Sequence, residues 1–572
     1  MPALPAAVRL RALTTALLLA CAALLPACGD TAGPELEADT LFGFLTDAEE
    51  LDRLESLVRQ AEMGTLLQTG SDLTLFAPTD LALERLGPDM LYRIAGNPDV
   101  LLKILRRHLV PGRFRVADLR DGDTLTPLEG PPLTVRVVDD RIFVGEARLT
   151  LRRTDFETGN GLVHFLDDVV RDHLTLAERL RVTPLATDFA AAFAQAGLNE
   201  LLGAGEPYTL LVPIDNAFDV FGGNRLQELF RFANRDVMLK VMRHHVLPGR
   251  VGLEDLDGTD VLTPLDGSPL AVTNEGGVRH LGGARVIAAE VEASDGLIYL
   301  IDRIVLTHLD LAEHIQIDPD LKTAYAILDR SGVLDRLREQ DPHTAFLPAD
   351  ASLAPLGEGL LPALEARPEL LLRTAQYAVV PGLVSREMLL QSPSLTTLGG
   401  HELPILIGSD VTGPIVFVGG RGRVAFPPLE IRNGLLYQIA PFVYPPGLDL
   451  EGQAVFTALY RYLSLMEQAG LSPLLRGEAQ YTIFAPTNAA LEGVSLPGGQ
   501  LPDILRAHIV EGRYEAEDIG SELTLTSLAG SPITIASVPG PGGGLFANGV
   551  RIAAYADQAR NGVIYALEGL LP

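Results

Sequence analysis

Between residues 45 and 63 apolar side chains return every three or four positions, at Leu51, Leu54, Leu57 and Val58, the spacing of one buried face on a helix. Thr46 with Glu49 three residues later reads as a capping box at its start. The period then changes. TLFAP (Thr74 to Pro78) is a short β-prone run that Pro78 closes, because proline cannot donate to a continuing ladder, and Asp80 is placed to cap the next helix. DVLLKILRRHLVPG sets Val100, Leu101, Ile104, Leu105 and Leu109 along one helical face, with Pro111 and Gly112 as the stop. Beyond it LTVRVVDDRIFVG alternates with a period of two, interrupted by turn residues, which predicts short strands. Asn160-Gly161, ahead of the closing run LVHFLDDVV, predicts a positive-φ turn between two antiparallel strands. Helices first and sheet later make this unit α+β.

The same succession returns three more times. TLFAPTD around Pro78 is matched by TLLVPIDNAF around Pro213, TAFLPADASL around Pro348 and TIFAPTNAAL around Pro486, at intervals of 135, 135 and 138 residues. HLVPGRF (Gly112) is followed by HVLPGRV (Gly249), YAVVPGLV (Gly382) and HIVEGRY (Gly512). LTPLEGPPLTV, LTPLDGSPLAV, LTTLGGHELPI and LTSLAGSPITI come third, and NGLVHFLDDVV, DGLIYLIDRIV, NGLLYQIAPFV and NGVIYALEGLL close the units. Four markers in one order at one spacing define a tandem repeat, each copy expected to close its own hydrophobic interior. Brief joints such as VVRDHLTLAERL and IVLTHLDLAEHI leave little slack between copies.

Length agrees, since 572 residues at roughly 150 per domain suggest about four domains. Lys and Arg number 45 against 74 Asp and Glu, a net charge of −29, which opposes binding to a phosphate backbone and excludes nucleic acid as a partner. Hydrophobic residues at 47% can build cores, so the acidity belongs to the surface. At the N-terminus Arg9 and Arg11 precede an uncharged run, Ala12 to Ala27, of secretory-signal length and short for a membrane span. It ends Leu25-Pro26-Ala27-Cys28, which resembles the lipobox of bacterial lipoproteins, with Pro26 where a small residue is usual. Of the two cysteines, Cys21 leaves with the signal, so Cys28 is the expected lipid attachment and the mature chain holds no internal disulfide. An ordinary secretory signal is the alternative. The expected organisation is a signal at 1–27, an acidic tether at 28–40, and repeats at 41–173, 174–307, 308–446 and 447–572, in an exported protein of the cell envelope or surface held to the membrane by lipid.

TLFAPTD with its following Ala-Leu, then HLVPG, then NGLVHFLD together resemble the fasciclin domain, and four such domains cover nearly the whole mature chain. The resemblance implies a compact β-wedge with helices packed on it, extracellular placement, and adhesion or matrix binding without known catalysis. Family members often carry Tyr-His just before the VPG-type turn, a pair linked to adhesion, which marks His108, His245, Tyr377 and His508 as candidate interaction residues. The pair is never complete: Arg107, His244 and Ala507 precede the three histidines, and Ala378 follows Tyr377. No RGD triplet occurs.

No GxSxG, HExxH, CxxC or P-loop is present, so no catalytic residue, metal ligand set or cofactor is expected. GRGRVA (Gly420 to Ala425) meets Pro427 and Pro428 where a phosphate-binding helix would begin and reads as a loop between strands. The acidic turns Asp121 to Asp123 and Asp255 to Asp260 lack the glycine spacing of an EF-hand and read as solvated. The recurring histidines have no ligand at i+4 and no repeated carboxylate beside them, so they read as hydrogen bonders within the core. Phe165, Tyr299, Tyr437 and Tyr565 in the closing strands read as core aromatics. The expected function is non-catalytic adhesion or binding of an extracellular or envelope protein or polysaccharide, strengthened by multivalency. A structural spacer or envelope scaffold with no ligand of its own, or an envelope hydrolase, are the alternatives.

Overall fold

The computed structural model describes residues 39–203, 205–219, 234–339, 341–410, 413–519, 521–538 and 544–572. The signal, Cys28 and most of the tether lie outside the described residues. The chain falls into two compact units, the first holding the first repeat to Leu174 with Val182–Pro184, the second holding Thr175–Arg181 and Leu185–Pro572.

In the first unit three helices, α1 (Leu41–Asp47), α2 (Asp52–Gln60) and α3 (Gly64–Thr69), lead into β1 (Leu73–Pro78). Three more follow, α4 (Asp80–Arg85), α5 (Pro88–Ala95) and α6 (Pro98–Arg107), and then β2 (Leu109–Pro111). After a 3-10 turn at Val116–Asp118 the regular elements are strands: β3 (Thr124–Leu125), β4 (Leu133–Val138), β5 (Arg141–Val144), β6 (Ala147–Arg148), β7 (Phe156–Thr158) and β8 (Gly161–Leu166). Two sheets result, in the orders β2-β1-β8-β7 and β3-β4-β5-β6. β1 runs parallel to β8, with Phe76 opposite His164, and all six of its residues are buried. That is why TLFAP shows no alternation: a strand covered on both faces needs apolar side chains at every position. One core packs Leu54, Val58, Leu101 and Leu105 of the helices on Leu75, Ala77 and Phe165. A second, on the opposite face, gathers Phe76, Val110, Leu133, Val135, Val144 and Leu166. Each of the Val, Leu and Phe side chains contributes about 1.5–3 kcal/mol on burial.

Several local expectations are corrected. Residues 51–58 are helical from Asp52 on, but α1 comes before them, capped by Thr40, whose Oγ1 accepts from the Gly43 N–H at 3.1 Å. Thr46 lies inside α1 and donates to the Phe42 carbonyl, so it makes no capping box with Glu49. Thr79 caps α4, while the Asp80 carboxylate accepts the Arg53 N–H. Leu109 leaves the helical face, because α6 ends at Arg107 and the chain turns into β2 beside β1.

β7 and β8 are antiparallel neighbours, as the Asn-Gly signal predicts, but positive φ is not the reason, since Gly161 does not adopt it. A Cβ there would collide with the Leu73 carbonyl of β1, and the matching glycines Gly296 and Gly434 stand against the carbonyls of Tyr208 and His343 in the same way. Glycine is required by close approach of the two parallel strands.

The second unit repeats the plan with continuous sheets. In the second repeat the strands run Val246–Pro248, Tyr208–Pro213, Gly296–Ile301, Ala284–Ala293, Val278–Leu281, Leu270–Glu275 and Val261–Leu262 in space. Ala284–Ala293 carries the chain between the halves, with register shifts between Val286 and Val291, as bulges allow a strand to bend. Part of GRGRVA is itself a strand, Gly422–Val424. The third and fourth repeats keep separate cores on the sheet side, around Tyr437 and Tyr565, but share one on the helix side. One apolar cluster runs from Leu311, Ile315 and Leu371 through Phe456 and Leu463 to Ile564. Tyr460 packs its ring on Gly359, where a Cβ has no room, and donates its hydroxyl to the Leu356 carbonyl at 2.8 Å. Buried Glu451 takes Arg367 at 3.2 Å and Arg476 at 2.6 Å. Among the described residues no helix is long and apolar enough to cross a membrane.

Candidate functional site

The residues that recur in three or all four repeats converge on one internal frame. A threonine in each opening strand, Thr74, Thr209, Thr344 and Thr482, donates to the carbonyl of the glycine in the turn, at 2.6–2.8 Å. It also accepts a backbone N–H two residues past that glycine. The turn glycines Gly112 and Gly249 hold φ of 107° and 83°, a region costly for other residues. The asparagines ahead of the closing strands are clamps. Asn433 accepts the Leu311 N–H and donates to the carbonyls of Leu337 and Glu339, and Asn160 and Asn561 do the same in their repeats.

His108, His245 and His508 complete the frame. Each ring's Nδ1 lies 2.7–2.8 Å from the carbonyl four residues earlier. Each Nε2 accepts a backbone N–H beyond the closing strand, from Val170, Val305 or Leu571, at 2.9–3.0 Å. That pattern defines a neutral ring with the proton on Nδ1. Burial is the leading cause that pushes His108 down to about 4 and His245 to about 3, and it lowers His508 as well. Tyr377, in the third repeat, is buried too, and burial raises its hydroxyl. None of the four is more than 3% exposed. As candidates for contact with a partner they are therefore corrected: their rings are spent inside the fold. The closing-strand aromatics are core, with one shift of register. Tyr299, Tyr437 and Tyr565 align with His164 rather than with Phe165, and all four rings reach a backbone carbonyl at 2.7–3.0 Å.

Just before each clamp histidine the repeats diverge, and there chemistry accumulates. In the first repeat Arg107, fully buried, pairs with both oxygens of Asp172 at 3.1 Å and donates to the carbonyls of Glu129 and Pro131. One guanidinium thus ties the end of α6, the LTPLEG turn and the segment after β8. In the second repeat the same three places supply His244, Asp266 and His308. The Asp266 carboxylate lies 2.8 Å from Nδ1 of His244, and the rings of His244 and His308 stack at 3.8 Å. One donor atom from each of the three lies within 4.8 Å of the others. Nε2 of His244, both nitrogens of His308 and Oδ2 of Asp266 are buried without a hydrogen-bond partner. Burial lowers His308 to about 2, the neighbouring His244 adding to it. Burial alone would raise Asp266, yet hydrogen bonds from His244 and Ser268 bring it down to about 2. Sequence reasoning passed over this group because its members stand 22 and 42 residues apart. The readable signal was the replacement of Arg107 by His244 at one repeat position, with His308 in the joint.

The acidic turns are satisfied locally: Asp121 and Asp123 accept the N–H groups of Val137 and Arg120, and Asp257 pairs with Arg279 at 2.8 Å. The third repeat also carries an open groove of about 510 Å³, lined by Arg386, Arg423, Pro414, Phe426 and Gln438.

Comparison with known proteins places this frame. The family profile described as Fasciclin domain matches residues 49–172, 184–307, 319–445 and 457–572. Transforming growth factor-beta-induced protein ig-h3 of Sus scrofa is 26% identical over 87% of this chain and 72% of its own length. Periostin of Homo sapiens is 22% identical over 87% of this chain and 59% of its own. Protein sll1735 of Synechocystis, 32% identical, aligns with 21% of this chain and 90% of its own. A solved domain pair from the insect cell adhesion molecule Fasciclin I aligns at 18% identity over 45% of this chain and 97% of that one, with a TM-score of 0.23.

Proposed function

The chain belongs to the fasciclin-domain family, with four domains in tandem, and from that premise we propose that it is a non-catalytic adhesive protein of the cell exterior. It is exported, held to the membrane by lipid on Cys28, and binds an extracellular or envelope protein or polysaccharide through its repeats. One observation carries the reading: the side chains common to the repeats are consumed by internal hydrogen bonds, so the repeats supply a constant frame and leave recognition to their differing outsides. Repetition of such domains raises effective concentration once one has bound. The charge of −29 disfavours a bare anionic polymer as ligand.

Beads coated with the full exported chain should be retained, saturably, by an envelope-protein or neutral extracellular-polysaccharide fraction. Retention no greater than that of beads bearing an unrelated acidic protein would sink the proposal. Labelling with a fatty-acid analogue should be lost in Cys28→Ala, and unchanged labelling would remove the anchor. The interior shared by the third and fourth repeats favours a second reading, a structural spacer in which those two act as one rigid piece.

A further inference from the structure

We propose that His244, Asp266 and His308 form a binding site for a divalent transition-metal ion of the zinc class, fastening the joint after the second repeat to the body of that repeat. The ligand set is chemically suited, since two imidazoles and one carboxylate are the donors that borderline ions such as Zn²⁺ and Co²⁺ take, with a fourth position left for water. Location suits it as well. His244 ends the helix Arg235–His244, Asp266 sits in the LTPLDG turn, and His308 lies between the closing strand Gly296–Ile301 and the helix Leu311–Ile317. An ion here would join three pieces of chain that are remote in sequence.

Two further observations favour an ion over a dry contact. Buried polar atoms are almost always paired, yet four polar atoms of this one group lack partners, and His244 and His308 are 0% and 2% exposed, beyond easy reach of bulk water. The first repeat shows what the crossing needs. There the guanidinium of Arg107 provides a cation facing one carboxylate and two carbonyls, whereas the second repeat keeps a carboxylate, now Asp266, and has the His244 imidazole in place of the cation, with His308 at the position of His173. A divalent ion restores the missing positive charge and uses the lone pairs that have no donor. Loading would open the ring stack, because two nitrogens on one tetrahedral ion stand roughly 3.3 Å apart and cannot keep their rings face to face.

The test uses the full chain, stripped with a chelator and titrated with Zn²⁺ against a chromophoric indicator. One ion should bind per chain. Co²⁺ should give visible d–d bands without sulfur charge transfer, as nitrogen and oxygen ligands require. His308→Ala and Asp266→Asn should each weaken binding by more than the roughly 10–100-fold typical of changes outside the ligand set, while His401→Ala leaves it unchanged. His308→Cys, which keeps a ligand in place, should add a sulfur-to-cobalt charge-transfer band. Failure of the stripped wild-type chain to bind zinc overturns the proposal. So does equal affinity in His308→Ala and Asp266→Asn, or a His308→Cys spectrum without the sulfur band.

Discussion

The first and second repeats meet the same packing problem below the VPG-type turn and solve it with different charges. Where a helix end, a turn and the exit from the closing strand cross, the first repeat inserts Arg107, whose donors all find acceptors. The second has His244 there, beside His308, which stands where the first has His173; the His244 ring has fewer donors than the guanidinium, and the group leaves lone pairs unused. The frame around them is unchanged: His108 and His245 make the same two bonds in both. The fold therefore dictates backbone crossings, and a crossing tolerates any residue set that balances its buried polar groups. Imbalance at one copy of a repeated crossing is thus a pointer to chemistry that the other copies do not perform.

The largest expected effect comes from breaking the first arrangement. Arg107→Ala removes a fully buried guanidinium, leaves the carbonyls of Glu129 and Pro131 without their donor and frees the part-exposed carboxylate of Asp172, and should cost the first repeat about 3–5 kcal/mol, most of it from the two stranded carbonyls. In metal-free chain His244→Ala removes one nitrogen that is already unpaired and one bond to the Asp266 carboxylate, and should cost about 1.5–3 kcal/mol. Amide exchange in Leu73–Pro78 and Tyr208–Pro213 reads the two repeats separately. Equal losses would dissolve the comparison.

Acid should act next, through the clamp the two repeats share. His108 stays neutral in the fold, down to about 4, against 6.5 in the unfolded chain, so the unfolded state binds the extra proton between those values. Its contribution is whole above pH 6.5, falls as pH drops toward 4, and is constant below that. The full loss is about 3 kcal/mol. The pH dependence of exchange in the first repeat measures it, and His108→Gln should flatten the slope. Zinc at 100 times its dissociation constant should then stabilise the second repeat by about 2.7 kcal/mol and leave the first unmoved, which exchange with and without the ion would reveal.

Much of the frame was legible because it is local or periodic. The buried run TLFAP, the helix containing Leu54, Leu57 and Val58, and the hairpin before Gly161 all follow from short-range pattern. What failed did so where distant chain decides. Thr46 looked like a cap because α1 is too short to announce itself, and although Asn-Gly does mark the turn between β7 and β8, its glycine answers to the Leu73 carbonyl of another strand and not to positive φ. Tyr460 gives no sign in sequence that it will sit on Gly359 and merge two interiors. The His244 group was invisible for the same reason, being made by three segments that only the fold brings together.

The smallest effect tests the comparison at a second shared position. Where the second repeat has Tyr299, donating to the Val251 carbonyl at 2.8 Å, the first has His164, which reaches the Phe114 carbonyl at 2.7 Å and accepts the Asp155 N–H at 3.2 Å. Tyr299→Phe keeps the ring and loses one hydrogen bond, so it should destabilise the second repeat by about 1 kcal/mol. His164→Phe loses two and leaves a buried carbonyl and an N–H unmatched, and should cost about 2 kcal/mol. Urea titration followed by exchange in each repeat separates these values. If His164→Phe were the milder change, the imidazole would be a tolerated substitute for tyrosine and not the more deeply bonded of the two, and the first repeat would lose its claim to balanced polar crossings.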